Sequence, residues 1–325
     1  AVNEINGAGG INGKKLKVIH YDIKSDVNES ITAYNRLADQ DKAVAIVGPA
    51  LSNIGIALAP ITEEKKVPIV SQFMDERATT NEKTKKPWNY IYLAEPSCNQ
   101  QAQAIAAYAV DKLKIKTVGV LYDSSNAYST THAIPFQKYV DSESFTSDTK
   151  DYKAQLTKII SANPDGIFIP SYVQQNALAY KQARQLGYDG LIIGDDTYTA
   201  PFNTLVAGIP MDKLYFINNV DFKSAQTKFL GDAYLKANNN VEPMFNVAFG
   251  YDDVKIIANA LKLAKDPTDS QEVNKLIETK TNAVKAASCD ITIDPGTHRP
   301  VGMGVYIAQW DASGKSIKVL DYYKS

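Results

Sequence analysis

The side chains of this chain that could bind or react stand just past short apolar runs. Ser52 follows the run 44–48 by a few positions. Phe73 and Asp75 follow 67–71, Asp123 and Tyr128 follow 117–122, Ser171 and Tyr172 follow 165–170, and Asp195 and Asp196 follow 191–194. A serine opening a helix sits beside unpaired backbone N–H groups and the positive end of the helix dipole, which favour a carboxylate or phosphate. Carboxylates away from water favour a cation, and tyrosines wall a pocket while donating hydrogen bonds. Singly, each is also an ordinary cap or turn residue, and Ser52 or Asn53 is equally readable as a simple N-cap. As a set they suit a small zwitterion such as an amino acid.

Catalytic arrangements are not found. Gly7-Ala8-Gly9-Gly10 lacks the last glycine of a dinucleotide fingerprint, Asn12 standing there, and it follows a helical segment instead of a strand. Gly13-Lys14 lacks the upstream glycine of a phosphate loop, because Ala8 occupies that place. His20, His132 and His298 have no metal spacing, and neither Cys98 nor Cys289 lies in a nucleophile motif. The expectation is a binding protein that needs no cofactor and no metal, and is not an enzyme.

The elements that would position these residues alternate. The runs 17–21, 44–48, 67–71, 117–122, 165–170, 191–194 and 213–217 read as strands. Helices are expected over 27–37, from about 53, over 173–186, over 245–264 and over 270–279. Asp26 and Glu29 have capping-box spacing, and Gly187 reads as a helix stop. Residues 304–310 and 317–322 flank Asp311-Ala312-Ser313-Gly314-Lys315 as a hairpin. Strand–helix alternation predicts an α/β fold of parallel sheets covered by helices on both faces, with ligands beyond the carboxyl ends of the strands.

At 325 residues the chain is long enough for two domains. Its formal net charge of −1 offers no electrostatic reason for a nucleic-acid or membrane-surface partner. No apolar run is long enough to span a membrane. Ala1-Val2-Asn3-Glu4-Ile5-Asn6 reads as the middle of an amphipathic helix, so a further segment is expected ahead of it.

Residues 1–6, Gly9-Gly10-Ile11-Asn12-Gly13-Lys14-Lys15-Leu16, Val47-Gly48-Pro49, residues 66–71, Gly187-Tyr188 and Gly250-Tyr251-Asp252 carry a likeness over nearly the whole chain. In this the sequence resembles the type I periplasmic binding proteins, and within them the leucine/isoleucine/valine-binding proteins of ABC importers. The resemblance implies two Rossmann-like lobes joined by a three-segment hinge, closing over a ligand. Lobe 1 is expected over 1–95 plus 222–300 and lobe 2 over 96–221 plus 301–325. The family's first strand, with a loop bearing a ligand-stacking aromatic, has no counterpart here.

The resemblance further implies that Ser52 binds the amino-acid carboxylate, that Asp196 binds the ammonium as Asp where Glu is common, and that Tyr128, Tyr172 and Tyr251 contact the ligand. Gln72-Phe73-Met74-Asp75 replaces the family's Pro-x-Ala-Thr. Phe73 and Asp75 are therefore expected to alter pocket size and charge, with Asp75 favouring ligands bearing an extra donor or positive charge. The expected function is an extracytoplasmic substrate-binding protein, periplasmic or a cell-surface lipoprotein, that delivers an amino acid to a membrane permease. The alternative is a ligand-sensing extracytoplasmic domain of a receptor.

Overall fold

The computed structural model describes residues 1–136 and 142–324. Its contacts divide into two units, Ala1–Ser97 with Asn246–Met303, and Cys98–Phe245 with Gly304–Ser325, so the chain passes between units three times.

Unit 1 begins with α1 (Val2–Gly7). The turn after it places Gly10 at φ 80°, and a Cβ there would lie 2.1 Å from the Lys14 carbonyl oxygen, so only glycine fits. In α2 (Val27–Asp39) the Asp26 side chain caps the Glu29 N–H, as the spacing predicts. There follow β1 (Ile46–Val47), α3 (Ser52–Lys65), β2 (Ile69–Ser71) and β3 (Ile91–Leu93). The three strands form a parallel sheet in the order β1-β2-β3. Ile54 and Leu58 of α3, Tyr34 of α2 and Ile69 and Ile91 of the sheet share one core. The expected strand 17–21 is not formed. A strand requires a ladder partner, and these residues lie outside every strand pairing, with Val18 47% exposed. The run 44–48 pairs only at Ile46 and Val47.

Unit 2 follows with α4 (Cys98–Asp111), β4 (Val118–Asp123), α5 (Ala127–Ala133), β5 (Ser142–Phe145), α6 (Lys153–Ser161) and β6 (Gly166–Phe168). Then come α7 (Val173–Gln185), β7 (Leu191–Gly194), α8 (Phe202–Leu205), β8 (Leu214–Asn218) and α9 (Lys228–Ala237). The chain returns to unit 1 for α10 (Asn246–Leu263), α11 (Ser270–Lys280), the antiparallel pair β9 (Val284–Lys285) and β10 (Asp290–Ile291), and the pair β11 (Ile293–Asp294) and β12 (Arg299–Pro300). It ends in unit 2 with β13 (Gly304–Trp310) and β14 (Ile317–Lys324), the hairpin read from the turn residues.

The unit 2 sheet runs β14-β13-β8-β7-β6-β4-β5, parallel from β8 to β5 and antiparallel at β13 and β14. Neighbouring residues of each central strand enter opposite cores. Leu121, Ile167, Ile192 and Phe216 pack on one face, and Val120, Phe168, Ile193 and Ile217 on the other. That two-residue period with both faces apolar is why these runs read as continuous hydrophobic stretches.

Residues 222–245, expected in lobe 1, group with unit 2. Phe222 lies against Gly231 of α9, and Phe222, Phe245 and Trp310 of β13 border one small cavity. In α10 Phe249, Asp253, Ile256 and Ala260 are buried together with Ile257 and Leu261, two of the four residues, Val254, Ile257, Ala258 and Leu261, that helical periodicity places on one face. The buried acids Asp252 and Asp253 disguise that face as polar.

Candidate ligand site

In unit 2 the carboxyl ends of β4, β6, β7 and β8 carry the polar residues. Gly194 ends β7, and a short 3-10 turn, Asp196–Tyr198, begins two residues later. It exposes neither acid to water: Asp195 and Asp196 are both fully buried. Tyr128 of α5 donates to one Asp196 carboxylate oxygen at 2.6 Å, and Asn219, just past β8, donates to the other at 2.6 Å. The Tyr172 ring stacks on Tyr128, centroids 5.5 Å apart. The His132 ring lies 4.4 Å from that of Tyr128, centroid to centroid, and reaches Gln101 of α4, which also holds Asp196. Burial pushes the Asp196 carboxyl up to about 7, against the opposing pull of Tyr128, Gln101 and Asn219. Burial also raises the Tyr172 hydroxyl to about 12, so it stays a donor at neutral pH.

In unit 1 the site residues gather at the ends of β1 and β2. Ser52 occupies the first turn of α3, and the N-cap residue Leu51 has no side-chain acceptor to offer. That helix start therefore retains its preference for an anion. The Ser52 hydroxyl donates to the Phe73 carbonyl. Met74 adopts a left-handed backbone at φ 52°, which turns the chain sharply after β2. Gln72 donates to Asp253 of α10 at 3.3 Å and accepts from Asn246 at 2.8 Å. Burial raises the Asp253 carboxyl well above the usual carboxylate range.

The sequence profile of the periplasmic binding protein family matches residues 1–315. The chain belongs to that family. Among curated members it is 24% identical over 290 residues to the leucine-, isoleucine-, valine-, threonine- and alanine-binding protein of Pseudomonas aeruginosa, covering 86% of this chain and 76% of that one. It is 27% identical over 285 residues to the Leu/Ile/Val-binding protein BraC3 of Rhizobium johnstonii, covering 84% and 75%. Among solved structures it is similar to the branched-chain amino acid transporter substrate-binding protein LivJ of Streptococcus pneumoniae in complex with isoleucine. The TM-score is 0.86 at 28% identity, over 100% of this chain and 92% of that one. The leucine-binding protein LivK of Thermotoga maritima gives 0.85 at 27% identity, over 98% and 90%. The fold of two α/β lobes is thus that of type I periplasmic binding proteins, a family of substrate-binding proteins whose members work outside the cytoplasm.

Within this periplasmic binding protein the structure brings together Tyr128, Tyr172 and Asp196 in one cluster, and Ser52 in another with the Phe73 backbone. Two of the expected residues have contacts of their own. The Phe73 side chain is 0% exposed and packs against α3, where a Cβ on Gly55 would come within 2.4 Å of its ring. The phenyl belongs to the unit 1 core. Asp75 does not offer a bare charge. One of its oxygens accepts from the Arg77 backbone N–H and Nε, both at 2.9 Å, and the other from Arg77 Nη2 at 2.8 Å. A carboxylate already gripped by a guanidinium has little left to select a cationic ligand. Tyr251 donates to Glu4 of α1, with Lys255 Nζ 5.7 Å from its ring centroid.

Sequence reasoning missed Gln101, Asn176 and Asn219. Asn219 was within reach, since it follows the strand at 213–217 as Asp196 follows 191–194. Gln101 and Asn176 sit inside helices, where nothing local distinguishes them from surface amides. Among the described residues no group of three or more His, Cys, Asp or Glu is arranged to hold a metal.

Proposed function

We propose that this chain is the substrate-binding protein of an ABC importer and that its ligand is an aliphatic amino acid. Ser52 and the start of α3 take the carboxylate. Asp196, steadied by Tyr128 and Asn219, takes the ammonium, and Tyr172 packs against the ligand. Ligand binding shifts the protein toward the form that the membrane permease then recognises. The observation that carries this reading is Asp196: a buried carboxylate at the strand ends, held by neutral donors, with no ion pair to any described residue. It is supported by the likeness of the whole chain to the isoleucine-bound LivJ. The protein works outside the cytoplasmic membrane, in the periplasm or as a cell-surface lipoprotein, and releases its ligand unchanged.

Calorimetry with the protein amino acids tests this. Saturable binding of isoleucine, leucine or valine, with the ligand recovered intact, is the expected result. A correctly folded protein that binds none of the amino acids would sink it. The receptor-sensor alternative shares this binding chemistry and is separated from it by uptake: deleting the gene abolishes import of the ligand only if the chain serves a transporter.

A further inference from the structure

Asp195 stands beside Asp196 and is as deeply buried. Its Oδ1 is satisfied by the Thr197 backbone N–H at 3.0 Å and hydroxyl at 2.6 Å. Its Oδ2 is buried with no hydrogen-bond partner. Three further buried polar atoms nearby also lack one: Ser171 Oγ, Asn176 Oδ1 and Asn219 Oδ1. They belong to one connected group. Asn176 Nδ2 reaches the Ser171 carbonyl, Thr197 Oγ1 and Asp195 Oδ1, while Asn219 Nδ2 holds Asp196. Asp195 Oδ2, Asn176 Oδ1 and Asn219 Oδ1 can only accept hydrogen bonds and Ser171 Oγ can do either, so the cluster has more unpaired acceptors than donors and calls for a group rich in N–H.

Two neighbouring carboxylates sealed from water cannot both stay ionised without a cation. None is supplied: among the described residues neither acid forms an ion pair. The titratable groups packed around them are Cys98 of α4, Asp123 at the end of β4, Tyr128 and His132 of α5, Tyr172 ahead of α7, and Tyr198 in the turn itself. The nearby Arg184 is engaged with the carbonyls of Tyr188 and Gly190. Burial, and then the Asp196 charge, hold the Asp195 carboxyl well above the usual carboxylate range.

We propose that Asp195 is a specificity-determining residue acting with Asp196: the two carboxyl groups share one proton in the ligand-free protein and release it to solvent when a ligand ammonium enters. Ammonium plus the singly protonated pair becomes ammonium held by two carboxylates plus one free proton. This rests on the amino-acid reading of the site and adds that the cation is recognised by a pair with a net gain of one negative charge. Affinity therefore rises with pH, by up to about tenfold per unit while the pair must still lose its proton. Zwitterions and cations are bound, and isosteres lacking the ammonium leave the pair protonated and bind weakly.

The test has two arms. In the first, L-isoleucine is titrated by calorimetry at neutral pH in buffers of different protonation enthalpy. Release of about one proton by the wild type, and markedly less by Asp195→Asn or Asp195→Ser, is expected. Buffer-independent heat in the wild type would overturn the proposal. The second arm needs no ligand: unfolding free energy is followed from acid to neutral pH. The loss of stability with rising pH should be shallower in Asp195→Asn than in the wild type, and equal slopes would overturn the proposal. If isoleucine and the other amino acids do not bind, the functional reading fails while the second arm still decides the fate of the proton.

Discussion

Asp196 receives hydrogen bonds from Tyr128, Asn219 and Gln101, and each of these comes from a different element. Such a carboxylate is oriented before a ligand arrives, which lowers the ordering cost of binding. Replacing it with alanine removes one charge-assisted bond and should weaken isoleucine binding by ~2–3 kcal/mol, roughly 30- to 150-fold, read by calorimetry. A correctly folded Asp196→Ala with unchanged affinity would take the residue out of the site. Arg77→Ala should act differently. It strips the buried Asp75 of the guanidinium that holds both its oxygens, so urea unfolding should show a loss of ~1–3 kcal/mol. Affinity should change little by comparison, and the reverse pattern would show that Asp75 faces the ligand. The contrast between these two acids marks the limit of what could be read from the chain. The position of Asp196 just past a strand was legible because it follows the apolar run by a fixed interval. The fate of Asp75 depended on Arg77 folding back across a turn with a left-handed Met74, which no spacing announces.

At the scale of elements, α3 is the piece on which the anion end depends. Its first turn carries Ser52, and its Gly55 lets the helix settle directly on the Phe73 ring beyond β2. Gly55→Ala would drive a methyl into that ring, forcing helix and turn apart. Overpacking of this kind costs ~1–3 kcal/mol of stability. Because the shift moves Ser52 relative to the Phe73 carbonyl, isoleucine affinity should fall as well. Stability lost with affinity kept would mean that the α3 start does not touch the ligand. The central strands of unit 2 and the hairpin β13–β14 were legible, because buried parallel strands are unbroken apolar runs and the hairpin is bounded by turn residues. Residues 17–21 were misread for the complementary reason: they have strand composition, but pairing is a property of two segments and composition belongs to one. The buried face of α10 was legible only through Ile257 and Leu261, because Asp252 and Asp253 lie on it and a hydrophobicity pattern counts both as solvent-facing.

For the molecule as a whole, the buried acids set the response to pH. Burial raises Asp252 to about 6 and Asp196 to about 7, and holds Asp195 and Asp253 well above the usual carboxylate range. Each is harder to ionise in the fold than in the unfolded chain, where the ordinary value is 3.8. Each therefore stabilises the fold fully below that value, and the contribution is lost as pH rises through the folded value. Asp165, held low first by the Lys116 N–H, acts oppositely and loses its contribution in stronger acid. The ligand-free protein should melt highest on the acid side of neutrality, with Tm falling from about pH 4 toward pH 7, as a calorimetric series would record. A flat profile would show that these carboxyls are better hydrated than their burial implies. The order of the strands carries a further consequence, for biosynthesis. β13, which pairs with β8, and β14 beyond it come from the last residues of the chain, after the long excursion through α10 and α11. Until β13 has left the ribosome, unit 2 has an exposed side to its sheet at β8 and cannot finish folding. A nascent chain whose second unit stays incomplete until residues 304–324 emerge remains slack over that interval, so the late return of this hairpin delays commitment to the native state.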